Sequence, residues 1–134
     1  MFFKHNAFAL LWAGVILLLC GIPGDELPDC DLWDLFSFDK ATHATIFAIQ
    51  AASLTVGFKK QYRFFTLRYH AIGYAWLFTL LYGACTELLQ WVVFTHRSAD
   101  WVDMMANGVG ATLGVALYLV VYGNLQPGQC HRQD

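Results

Sequence analysis

Four long apolar blocks dominate the chain, at residues 7–22, 41–58, 71–94 and 104–122. Their apolar residues follow neither the strict alternation of a half-buried strand nor the 3.6-residue stripe of a surface helix. Each block is near the roughly 17–25 residues that a helix needs to cross a bilayer. In lipid, only helices and closed barrels satisfy every backbone polar group. A barrel requires alternation along each strand, so helices are the better reading. The pattern predicts one all-α membrane domain over residues 1–134, with four transmembrane helices at about 7–22, 41–58, 71–94 and 101–122. A soluble four-helix bundle would need a polar stripe on each helix, and the third block has too few polar residues to supply one.

The breaks between blocks carry their own signals. Gly21, Pro23, Gly24 and Pro28 end the first helix and open an acidic loop. Within that loop "LWDLFSF" is apolar and aromatic, which suits a short helix lying in the membrane interface, with Trp33 in the aromatic belt. Ser37 or Asp39 is then the expected cap of the second helix. "THRS" makes the last tight connection, with Ser98 as a cap for the fourth helix. "QPGQ" ends the ordered chain.

Charge orients the helices. The 134 residues are 57% hydrophobic and 13% charged, with a mean hydropathy of +0.45, against about one quarter charged in a soluble domain. Of the eight Lys and Arg residues, Lys59, Lys60, Arg63 and Arg68 share one short loop, and Lys4 and Arg132 flank the termini. The positive-inside rule places this loop and both termini in the cytoplasm. The first outer loop holds Asp25, Glu26, Asp29, Asp31, Asp34 and Asp39 against Lys40 alone. The chain is therefore expected to cross its membrane several times, basic inside and acidic outside. Nothing points to nucleic acid. The basic loop reads as a topology signal that also meets anionic lipid heads. Lys4 and the apolar run after it resemble a signal peptide, but no small-x-small cleavage site follows, so an uncleaved first helix is expected. Cys20 and Cys30 lie near the outer face, where a disulfide is allowed, although free thiols are the simpler expectation. No cysteine or histidine spacing matches a zinc site, so no metal is assigned.

The polar residues inside the apolar blocks then stand out. In "YGACTELLQWVVF", Glu87 and Gln90 are three apart, and Glu87 lies seven residues before Phe94, about 10 Å below the helix end. Asp39 and His43, four apart, share a face of helix two beside Lys40. Arg97, Asp100, Asp103 and Asn107 follow around the last turn into helix four. Asp103, Asn107, Gly110 and Gly114 form one stripe, and Gly110 with Gly114 is a GxxxG packing signal. A carboxylate facing lipid near mid-bilayer costs several kcal/mol, and an intramembrane ionisable residue is a functional candidate by default. With the expected topology these residues reach one level on the outer side. Arg97 is the natural bidentate partner for a carboxylate. Taken singly, each has a plainer role as cap, interfacial histidine, loop charge or packing glycine.

The ordered set "FDKATH", "TELLQ" and "RSADWVDMMANGVGATLG" resembles the VanZ-like membrane proteins, over about residues 7–122. The shared pattern comprises Asp39, Lys40, His43, Glu87, Gln90, Arg97, Asp100, Asp103, Asn107, Gly110 and Gly114. The resemblance implies a bacterial integral membrane protein of the cell envelope. For a few members it implies a link to antibiotic resistance, against the glycopeptide teicoplanin. It leaves any cofactor unknown and the reaction unsettled. Two readings follow. In the first, an outward-facing polar pocket binds the head group of a membrane lipid, a lipid-linked envelope precursor or a lipoglycopeptide. In the second, a membrane-embedded hydrolase or transferase acts on a lipid-linked substrate, with Glu87 and His43 as base and acid and Asp100 and Asp103 holding a divalent ion. With no nucleophile motif and no closed metal set, the first is the better supported.

Overall fold

The structure is a computed structural model that describes residues 2–21, 32–93 and 101–123, with side chains described from residue 40 onward in the second helix. The described residues form five helices: α1 (Phe2–Cys20), α2 (Leu32–Lys59), α3 (Phe65–Tyr69), α4 (Ala71–Val93) and α5 (Trp101–Gly123). No strand occurs among the described residues. Among the described residues, four stretches are long and apolar enough to cross a membrane: Phe2–Cys20, Lys40–Lys59, Ala71–Val93 and Trp101–Gly123. The chain is an all-α, multi-pass membrane protein.

Two boundaries differ from the sequence expectation. The "LWDLFSF" stretch is not a separate interfacial helix but the first turns of a continuous α2. Ser37 and Asp39 therefore lie within that helix and cannot be its cap. The reason is local: after Pro28 the next helix-weakening residue is Gly57, so no breaker separates Leu32 from the membrane segment. Likewise α1 starts at Phe2, five residues before its apolar block, because Phe2–Asn6 contains neither Gly nor Pro. The basic loop also holds a short helix, α3, which the hydrophobic pattern does not announce.

Cross-helix contacts set the direction of each span. Gln90 near the end of α4 reaches Cys20 at the end of α1. At the other end, Gln61 after α2 reaches Phe2 at the start of α1. Thus α2 and α5 run one way and α1 and α4 the other, with the basic loop at one end and the buried carboxylates at the opposite, polar end.

Parallel α2 and α5 pack most closely. A methyl group placed on Gly110 would collide with the backbone carbonyl of Ala44, and one on Gly114 with that of Ala48. The GxxxG of α5 therefore docks on an Ala-x-x-x-Ala of α2, backbone against backbone, in the small-residue mode of membrane helices. The interior of α4 is similar: Ala71, Ala75, Thr79 and Gly83 are buried at every fourth position. Larger side chains fill the remaining space. Ile16, Cys20, Ile46 and Phe47 cluster toward the polar end, with Trp12 and Tyr82 against them. Phe58, Ala71 and Ala75 do so at the basic end. Outward positions such as Leu18, Leu88, Trp91 and Val120 are exposed, as a lipid-facing surface requires.

Candidate functional site

The small-residue stripe of α4 turns polar after Gly83: the next buried positions are Thr86, Glu87 and Gln90. Spacings of 4 and 3 keep these on the same interior face. In α5 the buried stripe runs Asp103, Asn107, Gly110, Ala111, Gly114 and Val115. The glycines draw α5 onto α2, and one turn toward the polar end the approach brings Asn107 against His43.

There, His43 Nδ1 and Asn107 Oδ1 lie 3.1 Å apart, both residues buried. The His43 ring also stacks on Phe47, centroids 6.4 Å apart and planes 11° apart. Gly83 of α4 closes the third side, with Asn107 Nδ2 and Phe47 Cε1 each 3.2 Å from where its Cβ would stand. A larger residue at 83 would push α4 off the pair. Glu87 stands one turn beyond Gly83, only 3% exposed. Asp103 stands one turn beyond Asn107 and is also buried. Gln90 Nε2 donates to the Cys20 carbonyl oxygen at 3.0 Å, which ties α1 into the assembly. Lys40, half-buried at the start of the membrane segment, is engaged by neighbouring groups, as are His43, Glu87 and Asp103.

The cluster therefore combines an imidazole, two carboxylates and two amides from α2, α4 and α5 at one end of an otherwise apolar bundle. Such burial is sustainable in hydrocarbon only where polar groups meet one another or line a cavity. Asn107 Nδ2 is a buried donor with no hydrogen-bond acceptor among the described residues. Among the described residues, no group of three or more His, Cys, Asp or Glu is placed to hold a metal ion.

Of the sequence-predicted site, His43, Glu87, Gln90, Asp103 and Asn107 share this interior face, and Gly110 and Gly114 form its base. The side chain of Asp39, together with Arg97 and Asp100, lies outside the described residues, as do Cys30, Ser98 and Cys130. Cys20 is buried and Cys85 is an exposed thiol.

Several participants escaped the sequence reading. Ala44 and Ala48 are the counterpart of the glycine pair, and their four-residue spacing was an available signal. Gln50 is buried in mid-α2 with Oε1 unsatisfied among the described residues. It sits seven positions after His43, two turns along the same face. Tyr82, whose hydroxyl donates to the Ala13 carbonyl at 2.5 Å, and Trp12, whose indole N–H donates to the Ile46 carbonyl at 2.9 Å, pin α1 to the other helices. No spacing rule would have paired these. Two grooves are present near the basic end, one of about 710 Å³ lined by Phe2, Arg63, Phe64 and neighbours, the other of about 400 Å³ between α1, α2 and α5. Neither includes a residue of the polar cluster.

A family model described as VanZ/LLP1 matches residues 29–122, a span that holds every residue of the polar cluster. No curated protein and no solved structure matches the chain.

Proposed function

The chain belongs to the VanZ/LLP1 family, and from that premise we propose that its polar cluster binds the head group of a lipid or lipid-linked envelope precursor at the outer face of a bacterial cytoplasmic membrane. One observation carries the reading: Glu87, His43, Asp103 and Asn107, all buried, converge from three helices at a single end of an apolar bundle. A bundle that needed only to pack would fill those positions with apolar groups at lower cost. In this reading Lys40 and Arg97 meet phosphate, Arg97 through its bidentate fork. Glu87, Gln90 and Asn107 meet hydroxyl and amine groups. Teicoplanin carries a lipid tail, engages the same membrane surface, and is the antibiotic against which expression of the chain would raise tolerance.

The test uses the full chain in nanodiscs with undecaprenyl diphosphate as probe. The probe is expected to raise the thermal midpoint of the parent chain. Glu87→Gln should fold and lose that rise, while Leu88→Ala, on the lipid-facing side, should keep it. A glutamine variant that responds as fully as the parent, or a parent that does not respond, would remove the carboxylate or the head group from the reading.

A further inference from the structure

The basic end carries a second feature, independent of the polar cluster. Between α1 and α5 the outer face of α2 is left uncovered, and Ala52, Val56 and Lys60, spaced four apart, form the floor of a groove of about 400 Å³. His5 and Phe8 of α1 make one wall, and Leu117, Tyr118, Val121 and Tyr122 of α5 the other. The groove is apolar along its length and becomes cationic at its end. Lys60 is exposed there and makes no ion pair among the described residues. Tyr118 and Tyr122 stack at 5.0 Å between centroids. Lys59, Arg63 and Arg68 follow in the adjoining loop.

We propose that this groove is a site for one anionic diacyl phospholipid, with an acyl chain along Ala52, Val56 and Val121 and the phosphate at Lys60. Charge and shape are both complementary to such a lipid. An apolar furrow on a lipid-facing surface is filled by acyl chain wherever nothing else covers it. A furrow that ends on an exposed ammonium, with two tyrosines in its wall, selects the chain that carries a negative head group. Basic pockets between membrane helices take anionic head groups by the same arrangement. Ala52 and Ser53 keep the floor shallow enough for a chain to lie on α2. The Ser53 hydroxyl is spent on its own helix, donating to the Ile49 carbonyl at 2.7 Å.

Native mass spectrometry of the full chain, in detergent with an equimolar mixture of phosphatidylglycerol and phosphatidylcholine, tests this. The parent should retain one phosphatidylglycerol in preference to phosphatidylcholine. Lys60→Gln should cut that preference about fivefold, the effect of one interfacial cation. Lys59→Gln, beside the groove but outside it, should cut it much less. Val121→Trp, at an exposed wall position, should fill the groove and reduce retention of both lipids without threatening the fold. No preference in the parent, or equal losses at Lys59 and Lys60, would replace the site by a diffuse basic field. A dimer that Val121→Trp dissolves would assign the groove to a second copy of the chain. Either result would overturn the proposal.

Discussion

Replacing Gly110 with alanine adds one methyl group at the point where α5 touches α2. That methyl would overlap the Ala44 carbonyl oxygen and stand 2.9 Å from both the carbonyl carbon and Cα of Ala44. These are backbone atoms of a helix, so no rotamer change relieves the overlap. Ordinary carbon contacts lie at about 3.5–4.0 Å, so the helices must part by roughly 0.6 Å or more, and a gap of that size forfeits a quarter to a half of each dispersion contact along the seam. Overpacking of this kind costs about 1–3 kcal/mol. The gain from replacing a helical glycine, about 0.5–1 kcal/mol, offsets part of it. The net expectation for Gly110→Ala is a loss of about 1–2 kcal/mol. Separation also stretches the 3.1 Å contact of His43 with Asn107, one turn away. Gly108 and Gly73 are internal controls: a methyl on Gly108 meets only Leu80 Cδ2 at 3.6 Å, and one on Gly73 meets nothing within 4 Å. Both alanine variants should be neutral or slightly stabilised. Reversible unfolding in mixed micelles, with the three variants and the parent side by side, measures this. If Gly110→Ala were as stable as Gly108→Ala, the close α2–α5 approach, and the argument that it builds the polar site, would be wrong.

Other outcomes are accessible to simpler measurements. Trp76→Phe removes the indole donor to Thr112 Oγ1, 3.1 Å away on the lipid-facing side; the loss in unfolding free energy should be only about 0.6 kcal/mol, as for other interhelical hydrogen bonds in membranes, and a loss above about 2 kcal/mol would contradict that. For topology, Cys30 should react with an impermeant thiol reagent added outside intact cells, and Cys130 only after the inner membrane is opened; equal labelling in sealed vesicles would reverse the expected orientation. At Arg97, lysine keeps the charge but loses the fork, so Arg97→Lys should impair undecaprenyl diphosphate binding nearly as much as Arg97→Ala; a fully active lysine variant would make Arg97 a surface charge.

The four spans were legible in the sequence because lipid imposes a simple demand: about twenty apolar residues in a row with every backbone group bonded within the segment. The inward face of α5 was legible for the same reason, since Asp103, Asn107, Gly110 and Gly114 fall on one stripe and lipid would reject the first two. Spacing along one helix could not say what that stripe meets. Only the tertiary structure sets Gly110 and Gly114 on Ala44 and Ala48 and thereby brings Asn107 to His43. It also sets Gly83 where a side chain would hold α4 away, and uses Gln90 to reach a backbone carbonyl of α1. The start of α2 differs from the expectation because Ser37 and Asp39 are good caps in isolation, whereas the helix already runs through both from Leu32, with no Gly or Pro to interrupt it. The physical difference is one of range. Burial in lipid and helix breaking act residue by residue along the chain. The partner of a small residue is chosen by the approach of two backbones, which depends on both helices at once.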